Sequence, residues 1–137
     1  MADTARLVEY FYVMAPQKPG VGASLLAELR QAGVNLLAFT GFPSGRGAQV
    51  DFVPENSAAF RAAAKKAKWK LTGPKRALLL EGDDRPGVIG EIMQKLADAK
   101  LNVTAIDALC AGAGRYGAIL WVAPRDVTKA ARILGAA

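Results

Sequence analysis

The sequence of 137 residues contains no histidine and a single cysteine, Cys110. Without histidine the chain lacks both the usual base of serine and cysteine nucleophiles and the commonest metal-binding side chain. Its glycine-rich stretches at 41–47 and 112–114 lack the Gly-Lys-Ser/Thr ending of a phosphate-binding loop. We therefore predict a protein that is not an enzyme, with no catalytic residues, no metal site and no cofactor.

Long hydrophobic runs are also missing, although 52% of the residues are apolar. No stretch approaches the roughly 20 apolar residues that span a bilayer. The start, Met1-Ala2-Asp3-Thr4, has no basic region of the kind that opens a signal peptide. We therefore expect a cytoplasmic protein with no membrane partner.

Acidic residues are missing between Glu55 and Glu81. The formal net charge of +6, from 18 basic and 12 acidic residues, arises from this interval. Its basic residues are Arg61, Lys65, Lys66, Lys68, Lys70, Lys75 and Arg76. The basic 61–76 segment leaves RNA binding, on an α+β sandwich, as the alternative function. Lysines also protect edge strands and favour helix C-termini, so nucleic acid is the less favoured partner.

A repeated motif divides the chain into halves. Lys18-Pro19-Gly20-Val21 begins one helical pattern and Arg85-Pro86-Gly87-Val88 begins another, 67 residues later. Over 21 aligned positions, seven are identical: Pro19/Pro86, Gly20/Gly87, Val21/Val88, Leu29/Leu96, Ala32/Ala99, Asn35/Asn102 and Ala38/Ala105. We predict a duplication with domains at 1–73 and 74–137. Units this small usually pack against another unit, so we also expect a homodimer.

Each copy has the pattern of a β-α-β-β-α unit. Predicted strands are 6–14, 36–39 and 48–53 in the first copy and 76–82, 103–109 and 116–122 in the second. The last helices are predicted at 56–67, capped by Asn56 or Ser57, and at 126–134, capped by Asp126. Residues 68–72 close the first sheet; the second sheet is either three-stranded or completed by another segment. The fold class is α+β, with two ferredoxin-like βαββαβ sandwiches in tandem.

The Pro-Gly step has a physical meaning at a strand-to-helix turn. Proline suits the first helical turn, and glycine lets another group approach the backbone. The first helical amides have no intrahelical partner and lie at the positive end of the helix dipole, which suits a carboxylate. The step can equally be a plain turn, and Asn35 and Asn102 can serve their own loops.

The segment Asp84-Arg85-Pro86-Gly87-Val88-Ile89, with its helix and Leu101-Asn102-Val103, resembles the signature of an ACT domain. Lys18-Pro19-Gly20-Val21 with Val34-Asn35-Leu36 is a weaker copy, in which Gln17 replaces the usual acidic residue. The resemblance implies a tandem pair of regulatory modules that bind an amino acid or similar small carboxylate at a module interface, and association with a metabolic enzyme. It implies these ligand-binding residues: Asp84, Arg85, Gly87, Val88, Ile89 and Asn102, with Gln17, Lys18, Gly20, Val21 and Asn35 in the first copy.

Overall fold

The computed structural model describes residues 3–136. In chain order the elements are β1 (Thr4–Pro16), α1 (Val21–Gln31), β2 (Leu36–Ser44), β3 (Gly47–Pro54), α2 (Ser57–Lys66), β4 (Thr72–Asp83), α3 (Val88–Asp98), β5 (Val103–Gly112), β6 (Arg115–Val122), a 3-10 turn (Pro124–Asp126) and α4 (Val127–Ile133). None of the helices in this described part is long and apolar enough to cross a membrane. The order repeats β-α-β-β-α, so the α+β class is confirmed.

The described residues form two compact units. We call Glu9–Lys75 the N-terminal unit. The C-terminal unit runs from Arg76 onward and also includes the described residues up to Val8. The predicted domain boundary between residues 73 and 74 stays a prediction.

The N-terminal unit is built around aromatic rings. Its strands follow the order β2-β3-β1, and β3 pairs antiparallel with both neighbours. Phe11 of β1 lies opposite Phe52 of β3, and Phe60 of α2 packs on both, with ring centroids 5.1 and 5.3 Å away. Trp69 stacks on Phe52 at 5.5 Å. These rings form the core between this sheet and its helices.

The C-terminal unit has an aliphatic core. Leu78, Leu120, Ile92 and Leu96 are buried together between the sheet and helices α3 and α4. The strand order is β1-β4-β6-β5, where β1 contributes its first residues, up to Val8. Another segment therefore completes this second sheet, which is one of the two alternatives that the sequence left open.

The predicted closing strand at 68–72 is wrong. Strand β4 begins only at Thr72, and Lys68 has a left-handed backbone with φ of 62°. The amides of Lys68 and Trp69 donate to the carbonyls of Lys65 and Ala64, as at the end of many helices. The connector is held in place because Trp69 packs against the core. The first residues of β4, rather than residues 68–72, therefore lie beside β1, with Gly73 next to Tyr10.

Three other local predictions have different outcomes. Of the two predicted caps of α2, Asn56 or Ser57, the structure has Asn56, whose side chain accepts a hydrogen bond from the Ala59 amide at 3.0 Å. Asp126 makes no side-chain cap bond, and a 3-10 turn precedes α4 instead. The predicted strand 36–39 continues to Ser44, so most of the glycine-rich stretch at 41–47 is strand rather than loop.

Candidate functional site

Both Pro-Gly steps lie where a strand turns into a helix. Gly20 and Gly87 are the N-cap residues of α1 and α3, with φ of 89° and 82°. Only glycine adopts this backbone conformation readily. A Cβ built on either glycine would meet nothing within 4 Å. The backbone conformation therefore explains the glycines, and the space beside each loop is open.

The two helix starts expose the same amides. The Val88 amide donates to the Arg85 carbonyl at 3.3 Å, and the Glu91 amide begins the helical ladder by donating to the Gly87 carbonyl at 3.0 Å. Within the described chain, this leaves the amides of Ile89 and Gly90 without a backbone acceptor. Gly90 was not among the predicted site residues.

The same pattern recurs at α1. The Val21 amide donates to the Lys18 carbonyl at 3.3 Å, and the Ser24 amide donates to the Gly20 carbonyl at 2.9 Å. In both units the valine that follows the glycine makes its turn bond through its amide. The Val88 side chain is buried in the core, so it does not face the loop's open side.

Charged groups gather around the second-copy loop. Arg85 forms an ion pair with Glu91 in the first turn of α3, and this bond raises the pKa of Arg85 and lowers that of Glu91. Asp84 is tied to the β5–β6 hairpin, because its amide donates to the Gly114 carbonyl at 2.8 Å. Its carboxylate lies beside the exposed thiol of Cys110 and raises the pKa of that thiol, chiefly through a hydrogen bond.

Next to this loop is a second polar group of residues that the motif does not contain. Tyr116 of β6 pairs with Gly82 of β4 on one side and with Cys110 of β5 on the other. The carboxylate of Asp3 lies over Gly82, beside the Tyr116 ring. The only signal in the sequence is a glycine inside a predicted strand, which often marks a close approach of another group.

The corresponding positions of the N-terminal unit are apolar. Ala48 of β3 pairs with Ala15 of β1 and with Pro43 of β2, where the C-terminal unit has Tyr116, Gly82 and Cys110. Gln17 replaces Asp84 and fastens the loop through its side chain, which donates to the Gly47 carbonyl at 2.7 Å. The position of Glu91 is a serine, so Lys18 has no acidic partner within its helix start.

The two predicted asparagines lie away from the glycines. Asn102 follows the C-terminal end of α3, and Gly87 precedes its N-terminal end. The 11 residues of this helix span about 16 Å, at a rise of about 1.5 Å per residue. Asn35 has the same position relative to α1. The structure therefore does not bring the asparagine of a unit to the loop of that unit.

Asn35 differs from Asn102 in its surroundings. The Asn35 side chain donates to Glu55 at 2.9 Å, and its carbonyl accepts from the Glu55 amide. It also borders an open groove of about 430 Å³, lined by Leu26, Leu29, Arg30, Gly33, Val34, Asn35 and Leu36. Among the residues that the structure describes, the Asn102 side chain has no hydrogen-bond partner and is exposed.

The basic 61–76 segment presents no aromatic surface for bases. It comprises the second half of α2, the connector and the start of β4. Trp69, the aromatic residue of the segment, is partly buried and has its ring stacked on Phe52 against the core. Nonspecific single-strand binding needs exposed rings as well as charge. The RNA-binding alternative is therefore not favoured.

Comparisons with known proteins identify the fold. No protein-family model and no curated protein matches this chain. The chain is similar in structure to protein BT0572 from Bacteroides thetaiotaomicron, with a TM-score of 0.82, 12% identity and coverage of 96% of this chain and 88% of that one. It is similar to the regulatory subunit of aspartate kinase from Thermus thermophilus, with a TM-score of 0.64, 16% identity and coverage of 98% and 95%.

A third similar structure is Escherichia coli aspartokinase III in complex with aspartate and ADP. Its TM-score is 0.56 at 15% identity, and the match covers 97% of this chain and 32% of that enzyme. At these identities the likeness establishes the fold alone. The fold is ACT-like, of the ferredoxin-like α+β type.

Proposed function

We propose that this chain is a regulatory or sensor protein that binds an amino acid or a similar small carboxylate. The single observation that carries the proposal is the loop before α3, where two free amides and Arg85 lie at the positive end of a helix. Two of the structurally similar proteins are an aspartate kinase regulatory subunit and an aspartokinase bound to aspartate. A metabolic enzyme of amino-acid synthesis is therefore the proposed partner.

The ligand is proposed to lie between ACT-like modules of two copies of the chain. Gly87 and Asn102 are at opposite ends of α3, so one small molecule does not contact both within a unit. The loop of one module and the asparagine of another can contact it together. Asn102, which has no partner within residues 3–136, is a better candidate than Asn35, which is bonded to Glu55.

A homodimer provides such a module interface. Strand β5 is the edge of its sheet, and Leu109 on it is 64% exposed. An exposed edge strand with few charges is a template for pairing with another chain. Sedimentation at micromolar concentration should show a dimer, and Leu109→Lys should weaken it. A 14.4 kDa monomer at all concentrations would contradict this part of the proposal.

A thermal-shift screen against the proteinogenic amino acids and small dicarboxylates tests the proposed ligand class. A ligand at a hundred times its dissociation constant stabilises the folded state by about 2.7 kcal/mol. The absence of a shift with every compound would contradict the proposed function. Calorimetry with a compound that gives a shift would then supply its affinity.

Variants of the two units then locate the site. Gly87→Asn keeps a residue that tolerates a left-handed backbone and adds a side chain at the loop, so it should abolish binding. Asn102→Ala should weaken binding by about 1–3 kcal/mol through a lost polar partner. Gly20→Asn and Asn35→Ala are the matched controls and should have smaller effects. Larger effects in the controls would move the site to the N-terminal unit.

A further inference from the structure

Strand β4 contains a buried glycine, Gly82, directly opposite Tyr116 of β6. A Cβ at Gly82 would lie 2.7 Å from Cε1 of Tyr116, and closer still to Oδ1 of Asp3. Real Cβ atoms do not approach other atoms this closely, so any side chain here would displace both groups. The missing side chain leaves a notch in the sheet, and the Asp3 carboxylate lies in it.

Tyr116 offers this notch a hydrogen-bond donor. The residue is 4% exposed, and its hydroxyl oxygen is buried. Burial first, then the charge of Asp3 and a hydrogen bond with its carboxylate, raise the pKa of Tyr116. Buried hydroxyls are almost always paired, so this donor favours an acceptor in the notch, which is the position that the Asp3 carboxylate holds.

Arg85 supplies positive charge near the notch. The charges of Arg85 and Arg115 both lower the pKa of Tyr116 against the effect of Asp3. Arg115 forms ion pairs with Asp83 at 2.8 Å and with Glu81 at 3.8 Å. Arg85 interacts with the charge of Asp3 as well as with Glu91. Glu81, Asp83 and Arg115 alternate with Gly82 and Tyr116 along their strands, so this cluster lies on the other face of the sheet and Arg85 is the cation beside the notch. A donor beside a guanidinium group favours a carboxylate.

We propose that the notch over Gly82 is a carboxylate-binding position, and that Asp3 occupies it in place of the carboxylate of the ligand. The identity of the ligand rests on the proposed function, but the notch itself does not. A ligand carboxylate enters only when Asp3 leaves. Asp3 is thus an internal competitor that lowers the affinity of the site.

Acetate is the smallest probe of this position. Asp3→Ala removes the competitor, and binding is followed by NMR at the Gly82 amide and the Tyr116 ring. Acetate should bind Asp3→Ala saturably and should bind the unchanged protein at least about tenfold more weakly. Adding Tyr116→Phe to Asp3→Ala removes the donor without adding volume, and it should weaken acetate at least about tenfold.

Gly117→Ala in the Asp3→Ala protein is the matched control. Gly117 follows Tyr116 in β6, and a Cβ there would meet nothing within 4 Å. This variant should bind acetate as Asp3→Ala does. The amide spectrum of each variant reports whether it is folded.

Three results would overturn the inference. The first is equal acetate binding with and without Asp3, and the second is no saturable binding in Asp3→Ala. The third is acetate binding that does not depend on the Tyr116 hydroxyl. Because acetate is not an amino acid, a negative amino-acid screen would contradict the proposed function while leaving acetate binding in the notch intact.

Discussion

The two loops before α1 and α3 have the same backbone but different neighbours. Gly20 and Gly87 have nearly the same φ, and each is followed by the same turn bond and the same pair of free amides. The second loop is surrounded by an ion pair, a buried tyrosine and a thiol. In the first unit, Ala48 takes the position of the tyrosine and Pro43 takes the position of the cysteine. A backbone motif can therefore persist where the polar side chains that would use it are absent.

The cores of the two units also differ in the side chains that form them. The N-terminal core combines three phenylalanine rings with Val13, Leu29 and Val50, and the C-terminal core is aliphatic apart from Tyr116. The N-terminal unit buries Asp51 at the centre of β3, whereas Ile119 takes the corresponding position in β6 of the C-terminal unit. The N-terminal unit thus buries three phenylalanine rings in its core, although Phe39 and Phe42 of β2 are exposed, and the C-terminal unit places its one buried tyrosine beside the candidate site.

The largest effect should come from the aromatic core. Phe60→Ala removes a fully buried ring that contacts Phe11, Phe52 and Trp69, and it should lower the free energy of unfolding by about 3–5 kcal/mol. Leu96→Ala in the aliphatic core should cost about 2–5 kcal/mol. The two clusters share no residue, so the double variant should be additive within about 0.5 kcal/mol. Denaturant titration measures the free energy of unfolding of the three variants. A larger coupling energy would show that the two cores are not independent.

The glycine loops should respond alike. Gly20→Ala and Gly87→Ala force a Cβ into a left-handed backbone, and each should cost about 1–2 kcal/mol. Gly22 and Gly90 lie within the helices with open space around them, so their replacement by alanine should add about 0.8–1 kcal/mol. Thermal melts of the four variants measure these changes. A cost at only one of the two loops would show that the backbones are not equivalent.

The order of elements could be predicted from the sequence because it depends on local patterns. Apolar spacing and Pro-Gly steps identify the helices and most strands, and they narrow the cap of α2 to Asn56 or Ser57. The closing strands could not be predicted in this way. Whether Thr4 to Val8 or residues 68–72 complete a sheet depends on pairing between distant parts of the chain and on Trp69 entering the core.

The candidate site could be predicted only in its backbone part. The motif indicated Arg85 and Gly87, which the structure places in one loop. Tyr116 lies in β6 and Asp3 directly precedes β1, both far from this loop along the chain, so no local spacing could reveal them. The sequence also paired Gly87 with Asn102 by analogy, although the length of α3 separates them within a unit.

A smaller effect should come from Asp51, the buried acid that has Ile119 as its counterpart. Asp51 is 5% exposed and accepts a hydrogen bond from Gln49 at 2.9 Å. Burial raises the pKa of this carboxyl, while Gln49 and Lys75 oppose the shift. The folded state therefore holds the proton more tightly than the unfolded state, so this residue lowers stability as pH rises through its folded pKa.

Asp51→Asn removes this titration and can still accept from Gln49. It should raise the melting temperature at pH 7 and leave it unchanged near pH 3, where the carboxyl is protonated in both states. Asp107→Asn, an exposed acid opposite Ile119, is the control and should shift neither melt. An equal gain at both pH values would mean that ionisation of Asp51 is not the cause.

The smallest effect should be on reactivity rather than stability. Cys110 is the single cysteine, so alkylation reports on it alone. A hydrogen bond with Asp84 raises the pKa of its thiol, and the thiolate is the reactive form. Asp84→Asn should therefore speed alkylation by iodoacetamide at pH 8, and the rates should converge at high pH, where the thiol is ionised in both proteins.

Asp107→Asn separates this local bond from a general change of charge. Asp107 is in the same strand as Cys110 but three residues away, so its side chain points to the other face. Its replacement should leave the alkylation rate nearly unchanged. Equal rates for the two variants would show that Asp84 does not form a hydrogen bond with the thiol. The contact between Asp84 and Cys110 would then no longer distinguish the second loop from the first.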